Sequence, residues 1–541
     1  RIRTLRLLFR PPRALKDSRA KAKDLLLQKP SFLSGTVCTQ LDWIVLRSAD
    51  KLFKSWNHVF IQVKTLKQRL NPPFSFTMNA VPVEIIRHIF KMSLPSREEA
   101  IDKGRISLLD TPWVLTLVSP LWRDIALGTP SLWSFITIVI QPFTRSWIRF
   151  PIRGLELQIS RSGVHPLQVV FFSEIPGYTT ADQLFRTLVE SCDRWETLDL
   201  RCTQRLESGS LDRMRGRLPL LREMHVRVGG LGAGRVGGVT NIFEIAPQLG
   251  IARLVDPDRQ IRERDHFHFQ PNLHQMDAQP QRAVVTLPWT QITIFESTYD
   301  NVLQFDGMRL AQNLVECQVS VTIRDTDAWQ VPAQPTCFLN MKKLTLFLYG
   351  PAAFLQSLLL PALEELLIQI DADDFHHVVA CLQRSTCSLR KFWINSHPPP
   401  EHLLQVLMDN PHILEIGIVG QKGLETQNLN DIVTALTLRE PDNPQPVYAL
   451  ELTRFLIRDH SSVLNLDAVL DMVDSRRRLF HLHGCSRLEK FSILGVNIRV
   501  YAKDFKARLA TLRATGLQIE LTREDQEDFG LPPSPRLRTY I

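Results

Sequence analysis

One stretch of the sequence has residue types that could hold a nucleotide cofactor. Gly232-Ala-Gly-Arg-Val-Gly237 fits the Gly-x-Gly-x-x-Gly pattern, in which glycines let a pyrophosphate approach the N-terminus of a helix. Asp256 stands about twenty residues further on, where such folds carry the acidic residue that binds the ribose. However, the run Gly229–Gly238 is too rich in glycine to begin a helix cleanly, and Pro247 would cut the next helix short. We therefore expect a loop here and no bound cofactor.

Histidine and cysteine side chains are the other groups that could do chemistry, as ligands of a metal ion. A structural zinc site needs four such ligands at short spacings, and no stretch supplies them. The closest groupings hold two or three each: His481, His483 and Cys485; His266 and His268; His376 and His377. The eight cysteines are scattered without a Cys-x-x-Cys pair, which argues against a zinc ribbon or a disulfide scaffold and fits a reducing compartment. We expect no bound metal.

The rest of the sequence favours a non-catalytic protein. It contains no Gly-x-Ser-x-Gly elbow, P-loop or His-Glu-x-x-His motif. No run of eighteen apolar residues occurs, so no transmembrane span is predicted. The net charge of +9 is spread along the chain apart from an N-terminal concentration, without interleaved aromatic residues, so we expect no nucleic acid partner. The predicted location is the cytoplasm, the nucleus or both.

Short helices separated by prolines are the first elements that the sequence predicts. Pro82 stands where a helix can begin, because a proline at the first helical position loses no intrahelical hydrogen bond. Ile85, Ile86, Ile89 and Phe90 then form a broad apolar stripe along one face. A helix with such a stripe is expected to pack against another surface.

Two later proline pairs predict further helices. Thr111-Pro112 combines an N-cap residue with a proline and opens a helix that carries Leu117 and Val118. Ser119-Pro120 repeats the signal and opens a helix that carries Trp122. The segment has too few residues to bury its own apolar surface, so its surplus side chains need a partner or the rest of the chain.

These helices resemble an F-box, in the form common among large families of fungal F-box proteins of the basidiomycete type. The matching positions are Pro82, Glu84, Ile85, Ile89 and Phe90, followed by Leu117, Val118, Trp122 to Ala126, Thr129, Pro130, Leu132 and Trp133. Val81, Ser119 and Pro120 depart from the usual pattern. Pro120 is the strongest departure, because it breaks a helix that many relatives could continue.

The resemblance implies a protein partner. An F-box docks onto a Skp-type adaptor, which links it to a cullin. By the resemblance, the adaptor-binding residues would be Pro82, Ile85, Ile89, Phe90, Leu117, Val118 and Trp122. The residues themselves leave a second interpretation open, namely a helical hairpin whose apolar side chains pack on the rest of the protein.

From about residue 195 onward, the sequence repeats the pattern apolar-x-x-apolar-x-apolar, roughly every 20–30 residues in most cases. The copies run from Trp195/Leu198/Leu200 and Leu221/Met224/Val226 through Trp289/Ile292/Ile294 to Leu488/Phe491/Ile493. Helix-like stretches fall between several of them, at Thr180–Cys192, Asp373–Gln383, Pro400–Met408 and Leu466–Phe480. Alternating strands and helices predict parallel strands, and this period is typical of a leucine-rich-repeat-like solenoid.

The predicted fold class is therefore α/β, with a small helical F-box module followed by an irregular leucine-rich-repeat-like parallel-strand solenoid. The expected domains are a basic, partly helical or disordered N-terminal extension at 1–77, the F-box at 78–135, the solenoid at 150–525 and a C-terminal tail at 526–541. The extension is either transit-like or without a targeting role, and Met78 offers a natural start after it. The longer gaps at 257–287 and 420–448 are expected to be protruding loops.

Together with this organisation, the resemblance implies the substrate-recognition subunit of an SCF-type (Skp–cullin–F-box) E3 ubiquitin ligase. Its F-box would bind the adaptor, and its solenoid would bind an unidentified protein substrate. Two alternatives remain open. The first is a repeat scaffold for protein–protein interaction outside any SCF complex, and the more distant second is a nucleotide-dependent enzyme built on Gly232–Gly237.

Overall fold

The structure is a computed structural model, and it describes residues 81–97, 99, 111–140, 152–173, 179–202, 211–228, 241–255, 285–298, 303–322, 331–396, 398–419, 427–440, 446–458, 464–494 and 503–522. The chain divides into two units, 1–85 with 108–114 and 86–107 with 115–541. Outside the described residues lie Gly232–Gly237, Asp256, His266 and His268, the predicted extension and tail, and most of the gap predicted to protrude at 257–287.

Three helices form what we call the helical segment. α1 is Val83–Met92, α2 is Leu115–Val118 and α3 is Pro120–Leu127. α1 begins directly after Pro82, one residue later than predicted. α2 is much shorter than predicted, because residues 111–114 form turns. Three of those four residues, Thr111, Trp113 and Val114, are aromatic or β-branched, types that favour a helix only weakly.

The start of α3 confirms the sequence prediction. Ser119 is the N-cap, and its side-chain oxygen accepts a hydrogen bond from the backbone N–H of Trp122 at 3.1 Å, while a proline occupies the first helical position. A short 3₁₀ turn, Pro130–Leu132, then leads to Trp133. The indole of Trp133 is fully buried and donates to the carbonyl of Ala126 at 2.8 Å, which ties α3 to the start of the first strand.

One parallel sheet of fourteen strands dominates the described residues. Its strands, in spatial order, are β1 Phe135–Ile140, β2 Leu167–Ser173, β3 Trp195–Cys202, β4 Glu223–Val228, β5 Ile251–Leu254, β6 Ile294–Ser297, β7 Glu316–Thr322, β9 Lys343–Tyr349, β11 Glu365–Gln369, β12 Lys391–Ile394, β13 Glu415–Val419, β14 Arg454–Arg458, β15 Lys490–Leu494 and β16 Gln518–Thr522. The short strands β8 Thr336–Cys337 and β10 Leu358–Leu359 pair only with each other. The large sheet therefore follows chain order, as the alternation of strands and helices predicts.

Helices connect many of the strands. They are α4 Ile152–Arg161, α5 Thr179–Val189, α6 Leu303–Met308, α7 His376–Ser385, α8 Pro400–Asp409, α9 Gln427–Leu436, α10 Leu466–Arg478 and α11 Lys503–Ala514. Four of them, α5, α7, α8 and α10, confirm the predicted helices to within three residues at either end. Within the described ranges, no helix has both the length and the apolar character needed to cross a membrane.

Backbone hydrogen bonds recur between the turns that precede neighbouring strands of the sheet. The carbonyl of Arg222 accepts from the backbone N–H groups of Gly250 at 3.0 Å and Ile251 at 3.1 Å. The carbonyl of Gly250 accepts in the same way from Thr293 and Ile294. Equivalent bonds recur up to the start of β16, so successive strands begin at the same level and their backbone groups are paired.

The core lies between one face of the sheet and the helices. The predicted inward positions of β11, β12 and β13 are aligned neighbours: Leu366 and Ile368, Phe392 and Ile394, Ile416 and Ile418. All six are buried. Helices cover this face, since the ring of Phe185 on α5 lies 5.1 Å from Phe171 on β2, and Phe375, just before α7, lies 6.4 Å from Phe392. Each such side chain contributes about 1.5–3 kcal/mol on burial.

The sequence pattern places one repeat three residues too early. Its predicted inward positions are Trp289, Ile292 and Ile294. The pairing of β5, β6 and β7 instead makes Ile292, Phe295 and Ser297 the buried set. The last inward position is Ser297, which the apolar pattern cannot match. The pattern therefore matches the apolar residues three positions earlier in the chain.

Two further expectations differ from the structure. Residues 420–448 were expected to protrude as a loop, yet they include α9, whose Leu429, Ile432, Val433 and Leu436 are fully buried. Their i, i+3, i+4, i+7 spacing is that of a helix packed on the core, which a search for the strand triplet does not detect. In addition, β1 and β2 precede residue 195, where the predicted repeats begin.

Candidate functional site

The structure separates the predicted adaptor-binding residues into an exposed group and a buried one. Leu117 is 61% exposed and Val118 is 38% exposed, at the end of α2. Ile89 and Trp122 are half-buried, and Phe90 is only 1% exposed. In the other unit of the chain, Pro82 and Ile85 are also exposed.

Phe90 is the one predicted contact residue that does not reach the surface. It shares a face of α1 with Ile86, four residues earlier, and both are buried. The ring of Phe90 lies 4.9 Å from that of Trp122, so the two aromatic side chains pack α1 against α3. Phe90 thus supports the segment from inside, whereas Ile89 lies on the neighbouring, more open face of the helix.

Two exposed apolar residues escape the sequence prediction. Met92 lies at the end of α1, three residues after Ile89, and Leu127 ends α3. Both side chains are exposed. Together with Leu117 and Val118 they form what we call the exposed apolar set of the helical segment. The i, i+3 relation between Ile89 and Met92 is the signal that could have identified one of them.

The face of the sheet opposite the helices carries a group of charged and titratable side chains. Asp199, His225, Arg253 and Glu296 are aligned neighbours on β3, β4, β5 and β6. With Arg201 and Glu223 we call them the charged cluster. Arg253 links two carboxylates of the cluster. Its Nη1 atom lies 2.5 Å from Oε1 of Glu223, and its Nε atom lies 3.3 Å from Oε2 of Glu296. This face is therefore cross-linked by ion pairs from strand to strand.

Asp199 is the most enclosed member of the charged cluster, with 1% of its side chain exposed. Arg201 donates two hydrogen bonds to its carboxylate, at 2.8 and 2.9 Å. Burial alone would raise the pKa of Asp199, but the neighbouring His225, Arg201 and Arg97 lower it well below the ordinary value. Burial also lowers the pKa of His225, against the pull of Asp199. The carboxylate is therefore ionised at neutral pH, held by the guanidinium groups.

Further along the same face, the side chains become apolar. Leu367, Trp393 and Leu456 on β11, β12 and β14, with Phe347 and Val419, form what we call the apolar patch. All of them are buried apart from Phe347, which is partly buried.

Trp393 owes its position in the patch to a glycine. A Cβ atom on Gly417 would lie 2.7 Å from Cδ2 of Trp393, so the indole lies against the bare backbone of β13. The indole nitrogen donates to Oε1 of Glu415 at 3.0 Å. A charged row borders the patch, in which Lys391 bonds Glu365 at 2.5 Å.

Histidine and cysteine side chains are the next candidates, as ligands of a metal ion. Within the described residues, no group of three or more histidine, cysteine or acidic side chains could hold a metal ion. The ring centroids of His376 and His377 lie 4.1 Å apart with the rings tilted by 36°, and Nε2 of His483 lies 2.7 Å from the carbonyl oxygen of Arg439. Burial raises the pKa of Cys192 to about 11, so its thiol is uncharged at neutral pH.

No protein-family model matches this chain, and no curated protein is significantly similar to it in sequence.

Proposed function

We propose that this protein is the substrate-recognition subunit of an SCF-type E3 ubiquitin ligase. The observation that carries the proposal is the exposure of Leu117 and Val118 at the end of a four-residue helix, at positions that match the F-box pattern. Exposed apolar side chains clustered on short helices are typical of a protein–protein interface. The adaptor would cover Leu117 and Val118, with Ile89 and Trp122 beside them.

The strand-bearing part of the chain would hold the protein substrate. We propose that its repeats form an irregular leucine-rich-repeat-like solenoid. The strict chain order of the parallel strands and the recurring bond between successive turns support this. The sheet face opposite the helices also carries partly exposed charged side chains, among them Lys391 and Glu365, of the kind found at the polar rim of a protein interface.

Such a receptor contributes to catalysis by proximity. It would hold substrate lysines near a charged conjugating enzyme, which converts a bimolecular encounter into one with a high effective concentration. None of its own side chains needs to take part in the chemistry. The role therefore requires two binding surfaces and a fixed relation between them.

A titration with a purified Skp-type adaptor tests the proposal. Replacing Leu117 and Trp122 together with alanine should weaken adaptor binding by about 2–4 kcal/mol, the range of interface hot spots. Met408 on α8 is also an exposed apolar side chain, so Met408→Ala is the matched control and should bind normally. Wild-type affinity in a folded Leu117→Ala/Trp122→Ala variant would exclude this surface as the docking site.

The alternative, a repeat scaffold outside an SCF complex, rests on the internal packing of the helical segment. Phe90 and Trp122 pack α1 on α3, and Trp133 ties α3 to β1, as a hairpin with a purely structural role would require. Affinity purification of the full chain separates the two functions, because only the proposed function predicts co-purification of the adaptor and a cullin.

A further inference from the structure

Arg97 follows α1 in the sequence and reaches the third and fourth strands of the sheet. Its Nε atom lies 2.5 Å from Oδ2 of Asp199 on β3, and its Nη1 atom lies 3.3 Å from Oε1 of Glu223 on β4. The two carboxylates are 102 and 126 residues away in the chain. A planar guanidinium can bind two carboxylates at once, which a lysine ammonium does less specifically.

The partners of Arg97 are fixed in place by the rest of the charged cluster. Asp199 is also held by Arg201, and Glu223 is also held by Arg253, which extends the chain of ion pairs to β6. A buried carboxylate keeps its charge only while cationic partners surround it. Arg97 therefore ends a continuous network of ion pairs and joins it to the residues after α1.

The helical segment has a second attachment at a different strand. Trp133 bonds Ala126 at the end of α3 and is buried at the start of β1. α1 is packed on α3 through Phe90 and Trp122. β1 and β3 are two strand spacings apart, roughly 10 Å. One attachment would leave the segment free to pivot about β1, whereas a second at that distance opposes rotation.

We propose that Arg97 is a positioning residue that clamps the helical segment to the sheet and so fixes the direction of the exposed apolar set. The purpose of the clamp rests on the proposed function, because transfer by proximity needs the adaptor at a constant orientation to the bound substrate. The clamp itself is a property of the free chain. It can therefore be tested without adaptor, substrate or ubiquitin.

Distance measurements by electron–electron double resonance on the full chain provide that test. Spin labels are attached at two exposed side chains, Asp124 on α3 and Met408 on α8, through ketone-bearing amino acids that spare the native cysteines. The wild-type chain should give one narrow distance distribution. Arg97→Ala should broaden it at least about twofold, as expected when one conformation becomes several. Arg97→Lys keeps the charge and should give an intermediate width.

The control is an ion pair that joins no distant elements. Arg213 and Glu190 are both exposed and lie 3.3 Å apart, so Arg213→Ala should leave the width unchanged. A folded Arg97→Ala variant with the wild-type width would overturn the clamp. If Arg97→Ala does not fold, the same measurement is made on Arg97→Gln and Arg97→Lys. A wild-type width of the distance distribution in both variants would also overturn the clamp.

Adaptor titration separates this inference from the proposed function. Arg97→Ala leaves the exposed apolar set intact, so its affinity for a purified Skp-type adaptor should equal that of the wild type. A wild-type chain that does not bind the adaptor contradicts the proposed function, while the distance widths still decide the role of Arg97.

Discussion

Phe90 and Leu117 occupy opposite environments, although both match the F-box pattern. The sequence predicts that both are apolar positions of short helices, and that much is confirmed. The sequence cannot show which apolar residue is buried and which is exposed, because the apolar stripe of α1 is wider than the surface on which α1 packs. The contact between Phe90 and Trp122, residues from different helices, makes that choice. Arg97 escapes prediction for the same reason, since its partners lie on distant strands.

Unfolding measurements should separate these two residues. Phe90→Ala removes a buried ring and should lower the free energy of unfolding by about 3–5 kcal/mol. Leu117→Ala removes an exposed side chain and should change it by no more than about 0.5 kcal/mol. Urea titration followed by circular dichroism gives both values. Equal losses would mean that Leu117 belongs to the core.

The charge of Asp199 predicts how stability depends on pH. Its pKa is lower in the folded chain than the ordinary value of about 3.9, so its contribution is complete above that value and is lost as the pH falls towards the folded pKa. Asp199→Asn should lower the free energy of unfolding by about 3–5 kcal/mol at pH 7, because it leaves Arg97 and Arg201 without their buried partner.

This difference should stay constant between pH 7 and about pH 5 and should shrink below about pH 4. The protein with Asp199 and the Asp199→Asn variant should both carry His225→Gln, so that the neighbouring imidazole does not titrate over the same pH range. Glu223, Arg97 and Arg201 are present in both proteins, so their titration cancels in the difference. Urea unfolding at a series of pH values measures the difference. A difference that declines already between pH 7 and pH 5 would show that the carboxylate is not held in its charged form.

Among the helices and strands, the sequence predicts the features that depend on a local residue pattern. It does not predict those that depend on pairing with neighbouring strands or on packing. α3 is predicted to the residue, because Ser119-Pro120 is a local N-cap signal that the structure uses directly. The parallel strands follow from the repeated apolar triplets. The position of β6 does not, because Ser297 fills an inward position that only the register with β5 and β7 reveals. The triplet pattern does not predict α9, because the helical spacing of its apolar residues lies within a long gap between triplets.

Gly417 gives a test of sheet packing at this scale. Gly417→Ala would place a methyl group against the indole of Trp393, with no flexible chain end to move aside. We expect a loss of about 1–3 kcal/mol in the free energy of unfolding, as for other overpacked sites. Gly250→Ala is the control, since its Cβ would meet only the Thr293 hydroxyl at an ordinary 3.7 Å. Equal stability of the two variants would mean that Trp393 is free to move away from β13.

At the scale of the whole molecule, each strand of the large sheet pairs only with its neighbours in space. If the repeats form a solenoid as proposed, stability is the sum of the units and the contacts between adjacent ones. Removing residues 495–541 should then expose β15 and lower the stability of the last units only. Hydrogen exchange should show unchanged protection of β3 to β9. Loss of protection along the entire sheet would indicate a single cooperative unit instead.

The proposed function depends above all on binding of a Skp-type adaptor through the helical segment. Size-exclusion chromatography with light scattering on the purified full chain and purified adaptor measures this directly. We predict a stable one-to-one complex, which also recruits a cullin and is lost in the Leu117→Ala/Trp122→Ala variant. Separate elution of the two wild-type proteins at micromolar concentrations would contradict it and leave the repeat scaffold as the better description.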